Sequence, residues 1–582
     1  MCGILGGNHP KWNYQKGIKC MQHRGPDGIK ITSMDGFTLA FARLAIIDLS
    51  NNGMQPMISD DGQVGIVFNG EIYGYHKLRN NLIGKGYQFH STSDTEVVLN
   101  AYLEWGEKFI TRVDGMFGMA IYDKRDSTIR LFRDRVGIKP LYYYYDGTYF
   151  GFASELKGIL NMCNTISFEI DNTAVYDYLN YLYIPDPKTY YKNVYKLLPG
   201  HGMVFDIRNK RIVKDSSYWR LKVNERQGRQ RKEKDLIEEL RFLIKESVEE
   251  QMIADVPVGT FLSGGVDSSI VTYEGYRINP KLETFSIGFT DRMYNELRYA
   301  EQIAKRYHMH MNSRVFDDDI FKQYYPEMKR WYDEPFGDTS SLPTYLVSQI
   351  ARNKVTAVLT GDGGDEVFGG YIRYQMIWQK EQEKGMDNLL VSYLYNKCKR
   401  NNSKDYFWVD DLNFLMRFNC QAPRVNDKDL QKQLGIDRYY DKLWAFKKYY
   451  FKNLPPITRM QYLDLKTYLP GDILTKVDRA SMAVSLEARV PMLSRKLIEF
   501  SFSLSEEERC PKGEPKGLLK RAYEQEFGKK FLYRPKQGFA IPVQYFDDKM
   551  SCQEHILEDL WEGRDGFLLR NMTRIGAIYG IK

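Results

Sequence analysis

Residues 256–276 read VPVGTFLSGGVDSSIVTYEGY. A short apolar run through Leu262 gives way to two glycines and then to helical spacing, which predicts strand, loop and helix in that order. Gly264 and Gly265 let backbone N–H groups come close to a ligand, and the helix N-terminus beyond them favours an anion. No Walker lysine follows, so the loop is not the usual kinase or GTPase type. Asp267, read as part of the loop, has the chemistry for Mg²⁺, which takes one or two carboxylates beside phosphate oxygens. A plain connector turn is the alternative reading of the same residues.

The alternation continues on both sides. DLIEELRFLIKESVEEQM (235–252) sets Leu236, Leu240, Leu243 and Ile244 on one helical face. LETFSIGF (282–289) and KVTAVLTG (354–361) are further apolar strands. Strands alternating with helices predict a parallel α/β sheet, with ligands at the carboxyl ends of its strands. A second loop, TGDGGDEVFGGY (360–371), carries Asp362, Asp365 and Glu366 among five glycines. Three close carboxylates are costly unless a cation or a reacting group uses them. Alone this is a solvated acidic turn; opposite a phosphate cradle it suits Mg-nucleotide chemistry. Residues 375–455 are rich in Tyr, Lys, Asn and Asp and read as helical, with no assignable chemistry.

The first 208 residues read differently. Short apolar runs, FTLAFA (37–42), VGIVFNG (64–70), FGMAIYD (117–123), TIRLF (128–132) and GTYFGFAS (147–154), are separated by Gly, Asp and Asn turns. STSDTEVVLNAYLEWG (91–106) predicts a helix opened by a capping box of Ser93 and Glu96. The charged stretch VNERQGRQRKEKD (223–235) reads as exposed, placing a linker over 209–234. Cys2, directly behind the initiator Met, reads either as an apolar residue of a terminal strand or, once Met1 is removed, as one residue holding both a thiol and an amine.

A chain of 582 residues exceeds one core, so two domains are expected. A formal charge of +8 with no basic run between aromatics gives no reason to expect nucleic acid. Seven cysteines without a CxxC pair favour a reducing compartment, and no apolar run is long enough for a membrane span. A cytoplasmic protein is the expectation. His308 and His310 read as a helix end rather than a metal site.

In order, MCGILGG, HRGPDG (23–28), ARLAIIDLS (42–50), FNGEIY (68–73), SGGVDSS, LTGDGGDEVFGGY, TKVDRASMAVSLEARVP (475–491) and RPKQGFAIPV (534–543) resemble the glutamine-hydrolysing asparagine synthetases of the B type, in the class II glutamine amidotransferase family. The resemblance implies an N-terminal-nucleophile αββα sandwich over 1–208 and a parallel α/β ATP-pyrophosphatase domain over 235–582. It makes Cys2 the first residue after methionine removal, its own amine the base for the thiol, and the thiolate the nucleophile on glutamine. Asn69 and the Gly70 N–H become the oxyanion hole. Arg43, with Leu44, Ala45, Ile46 and Ile47 of the same segment, takes the glutamine carboxylate side, while Glu71 and Asp94 hold its ammonium. His23 and Arg24 match a turn read as structural.

In the second domain the resemblance places ATP against Leu262, Ser263, Gly264, Gly265, Asp267, Ser268, Ile287, Thr360 and Gly361. Arg479 stands near the phosphates, Mg²⁺ sits on Asp267 and Asp365, and Asp362 assists the adenylate step. The acceptor is aspartate. Thr339, in DEPFGDTSSLPTYLVS (333–348), stands where some relatives carry an arginine, so amidation of another carboxylate, such as a uronic acid of a surface polysaccharide, is the second reading. A homodimer is a family expectation alone.

Overall fold

The computed structural model describes residues 1–223, 231–290, 295–324, 327–383 and 427–535. The first domain is built on two six-stranded antiparallel sheets. In the first, Gly3–Gly7 lies between Phe37–Arg43 and Phe150–Ala153; in the second, Val64–Ile72 pairs with Gly115–Asp123, which pairs with Thr128–Arg133. The inner faces meet through Ile4, Phe41, Val67, Ala120 and Leu131, and Phe150 stacks on Phe205 across the sheets at 4.5 Å. Alternation does the sorting: Val67 faces the partner sheet, while Ile66 and Phe68 face the helices outside. Tyr14–Lys19 and Leu156–Met162 cover the first sheet, and Tyr75–Gly84 and Asp94–Trp105 the second. Strands covered on both faces are apolar on both faces, which explains why Gly3–Gly7 is wholly buried.

The second domain holds a five-stranded parallel sheet in the order His310–Phe316, Glu283–Phe289, Val258–Phe261, Ala357–Leu359, Glu487–Arg489. The chain builds outward from the central Val258–Phe261 strand to one side and then to the other. The two glycine loops therefore leave neighbouring strands at the point where the order reverses, the usual crevice of such sheets. The Glu233–Gln251 helix buries Leu236, Leu240, Ile244 and Val248. Leu243, expected on that face, is only partly buried. Met116, Val136 and Ile138 of the first domain share one apolar cluster with Leu469 and Leu474 of the second, so the domains are fused by core.

Three local expectations change. Ser93 caps the Asp94–Trp105 helix on the Thr95 N–H, but Glu96 does not close a capping box. Its carboxylate reaches further back, to the N–H groups of His90 at 2.7 Å and Ser91 at 2.8 Å in the incoming loop, while the Ser93 N–H is taken by Ser91 Oγ at 3.2 Å. The stretch read as linker from 209 opens with a strand, Arg211–Ser217, paired with His201–Asp206; its polar sequence misleads because it is an edge strand, exposed along most of its length. Asp267 belongs to the first turn of the Val266–Ile278 helix rather than to the loop. The RPKQGFAIPV motif beyond Pro535, and most of 375–455, lie outside the described residues. Among the described residues no helix is long and apolar enough to cross a membrane.

Candidate active sites

Cys2 enters the central strand of the first sheet at its junction with the second. Its N–H donates to Asn69 Oδ1 at 3.0 Å, and its Sγ accepts from the Leu44 N–H at 3.4 Å. Burial pushes the thiol up to about 11. Asn69 sits in Val64–Ile72 with its Nδ2 buried and, among the described residues, without a hydrogen-bond partner, a buried donor with no acceptor there. Next to it, a Cβ on Gly70 would lie 2.0 Å from the Met116 carbonyl oxygen of the paired strand, so only glycine fits.

A small cavity opens beside Cys2, with Arg43, Leu44, Ile46 and Ile47 on one wall and Gly70, Glu71 and Asp94 on another. Ala45 is not on that wall; its N–H is taken by Asp27 Oδ2 at 2.8 Å. The Arg43 guanidinium is fixed by the carbonyls of Asp48 and of Ser50, the latter at 2.6 Å. Asp94 accepts from the Ile72 N–H at 2.8 Å, and burial pushes its carboxyl up to about 6. Burial, and then the neighbouring Glu487, raise Glu71 well above the ordinary range. Met1 also lines this cavity, packed with Leu44, Ile46 and Met482.

The second site is a cleft of about 650 Å³ at the carboxyl ends of the parallel strands. Gly264, at φ +83°, turns the first loop, and Ser263 Oγ lies 2.9 Å from Ser268 Oγ across it. The two loops touch: a Cβ on Gly361 would lie 2.5 Å from the Ser268 nitrogen. Ser263, Gly265, Asp267, Ser268, Ile287, Thr360 and Gly361 line this cleft together, as do Asp362 and Asp365. Leu262 is fully buried behind it, its N–H on the Phe285 carbonyl. Gly264 also stands back from the wall, its carbonyl accepting from Arg534. Asp267 and Asp365 converge on a single ammonium, Lys516 Nζ, which is 2.6 Å from Asp365 Oδ1. Two carboxylates spaced to share one cation fit a bound Mg²⁺. Burial raises both Asp362 and Glu366, the latter to about 7, with the Tyr371 hydroxyl donating to Glu366 at 2.7 Å.

Arg479 is elsewhere. It is buried between the domains, 2.8 Å from Glu155 and 3.2 Å from Asp333, and donates to the Tyr142 hydroxyl at 3.1 Å. The Leu474–Met482 helix turns Lys476, not Arg479, into the cleft, where it lies 3.2 Å from Asp338.

Sequence reading also missed what the second domain sends to the first. The Met1 ammonium rests on Glu487 Oε2 at 3.0 Å, and Arg489 lies 3.4 Å from Glu71, both from the Glu487–Arg489 strand. Arg24 donates to the Cys2 carbonyl at 3.2 Å and grips Asp478 with two bonds of 2.7 and 3.0 Å. Its turn is structural, as expected, but it is a joint between domains. Charged residues inside an apolar pattern, as in SLEARVP, were the available signal.

A two-sheet sandwich that opens on Cys2, joined by buried ion pairs to a parallel sheet with two glycine loops, is the layout of a two-domain glutamine amidotransferase. The family model described as Asparagine synthase matches residues 239–572, and the one described as Glutamine amidotransferase domain matches 1–219. The glutamine-hydrolysing asparagine synthetase 1 of Bacillus subtilis (strain 168) is 33% identical over 565 residues, covering 94% of this chain and 88% of that protein. The glutamine-hydrolysing asparagine synthetase B of Escherichia coli (strain K12) is 30% identical over 454 residues, covering 72% and 74%. The chain belongs to the asparagine synthase family.

Proposed function

We propose that this chain is an ATP-dependent, glutamine-hydrolysing asparagine synthetase. Cys2, freed by removal of Met1, attacks the glutamine side-chain amide, with its own amine as base. Asn69 Nδ2 and the Gly70 N–H stabilise the oxyanion, Arg43 takes the substrate carboxylate, and Glu71 and Asp94 take its ammonium. In the cleft the backbone of 263–268 and 360–361 cradles ATP, and aspartate attacks the α-phosphorus to give an acyl-adenylate and pyrophosphate. Asp267 and Asp365 would hold Mg²⁺, which neutralises phosphate charge when bound. Lys516, which neutralises them here, is the group that must yield. Ammonia from the first site then displaces AMP; keeping it away from water preserves the unprotonated nucleophile.

The observation that supports this reading most strongly is that one chain holds both halves in contact, with Arg489 of the parallel sheet 3.4 Å from Glu71 beside Cys2. The relatives' names favour aspartate over a sugar acid as acceptor. The test is pyrophosphate release from purified protein with ATP, Mg²⁺ and glutamine, adding carboxylates one at a time. Release that depends on aspartate, with AMP and asparagine formed, is expected. Glutamine hydrolysis with no response to aspartate would overturn the assignment.

A further inference from the structure

Aspartate brings two carboxylates and an ammonium into the cleft. Its β-carboxylate must face ATP, so the α-carboxylate needs a separate cation, and Thr339 on the cleft wall brings no charge. The cations that line the cleft can be sorted by what already neutralises them. Lys516 is shared by Asp267 and Asp365, and Lys520 is 2.5 Å from Glu514. Lys476 lies 3.2 Å from Asp338 and also faces Asp362 and Asp472. Arg534 donates to the Gly264 and Phe531 carbonyls at the rim of the first loop.

Arg373 is paired with one carboxylate, Asp464, yet among these five cations it alone keeps a buried nitrogen with no hydrogen-bond partner among the described residues. It stands in the Ile372–Glu383 helix, directly after the loop that carries Asp362, and it lines the cleft. Its guanidinium is stacked 3.8 Å from the Tyr371 ring and 5.1 Å from that of Tyr468. Among the described residues its Nη2 alone finds an acceptor, Asp464 Oδ2 at 2.6 Å. Its relative exposure is 9%, and its Nε is buried with no hydrogen-bond partner among the described residues. Leaving charged donors unmade in a buried site is costly, and a planar guanidinium fork matches a carboxylate by geometry as well as charge. The aromatic rings on its faces restrict it to in-plane contacts.

We propose that Arg373 binds the α-carboxylate of the acceptor and thereby sets the preference for an α-amino dicarboxylate. This rests on the asparagine-forming reading. The acceptor edge of the cleft is then defined by Arg373 and Tyr468, at the end of the second glycine loop.

The test compares aspartate with β-alanine, which keeps the reacting carboxylate and the amine but lacks the α-carboxylate. In the full chain, Arg373→Met should raise KM for aspartate roughly 10- to 100-fold. KM for ATP and glutamine hydrolysis should stay within about twofold, as expected for a loss confined to acceptor binding. Turnover with β-alanine should be unchanged, so the preference between acceptors collapses. Arg373→Lys keeps a cation beside Asp464 and should recover part of the aspartate affinity; should the Met variant fail to fold, the Lys variant carries the test through the same ratio. Parallel losses with both acceptors would mean that Arg373 acts only through its pair with Asp464, and an unchanged KM for aspartate would overturn the proposal outright. If the wild-type protein gives no aspartate-dependent pyrophosphate, the function itself fails, and that outcome is separable from either result.

Discussion

Around Cys2, single atoms decide what is possible. A methyl group at position 70 would fall 2.0 Å from the Met116 carbonyl, so Gly70→Ala must force the two strands apart. The cost should be about 3 kcal/mol, with glutamine-dependent synthesis lost and ammonia-dependent synthesis retained. Cys2→Ala should show the same split without the loss of stability: glutamine-dependent turnover falls on the order of 10³-fold or more, and ammonia-dependent turnover holds. Equal loss of both activities would sink the division of labour between the domains. Asp94 gives a pH signature. Burial pushes its carboxyl up to about 6, and in the proposed role it can hold the substrate ammonium only when ionised. KM for glutamine should therefore rise as pH falls through about 6, approaching tenfold per unit below it, while ammonia-dependent turnover compared at constant unprotonated ammonia does not follow. A flat KM from pH 7 to 5 would remove Asp94 from glutamine binding.

At the scale of elements, the two glycine loops are one device. They come from adjacent parallel strands, pack backbone to backbone, and place Asp267 and Asp365 on the same ammonium. Lys516→Met leaves those two carboxylates without their cation and should destabilise the protein by about 3 kcal/mol in metal-free buffer, the lower end of the range because Asp365 stays 21% exposed. Millimolar Mg²⁺ should restore much of that loss and should raise the melting temperature of the variant more than that of the wild type. A thermal shift indifferent to Mg²⁺ would show that the pair does not hold the metal. These loops were legible in the sequence because glycine spacing, apolar strands and helical periodicity agree over 256–276. Lys516 was not, since nothing local to EPKGLLK says that its ammonium returns to acids more than 150 residues earlier. The capping box failed for a similar reason. Ser93 and Glu96 have the right spacing, but His90 and Ser91 compete for the same carboxylate, and only the folded loop brings them there.

At the scale of the molecule, the least legible feature is the seam between domains, where the side chains meet across hundreds of residues of sequence. Arg24 looked like part of a turn and Arg479 like a phosphate ligand, yet both are buried in one ionic network with Glu155 and Asp478. That network ties the carbonyl of Cys2 to the helix that carries Lys476 into the cleft, so the two sites share a rigid connection. Removing one charge from it should cost more than removing a pair. Arg24→Met leaves Asp478 buried against Arg479 and Lys139 alone, and the expected loss is about 3–5 kcal/mol, with two calorimetric transitions where the wild type should show one, as the domains unfold separately. The double variant Arg24→Met, Asp478→Leu removes both desolvated charges and should recover most of the stability, because an apolar pair of similar volume no longer needs compensation. Additive losses in the double variant would show instead that the two residues act independently, and that the fusion of the domains rests on the apolar cluster around Met116 and Leu474 rather than on the ionic seam.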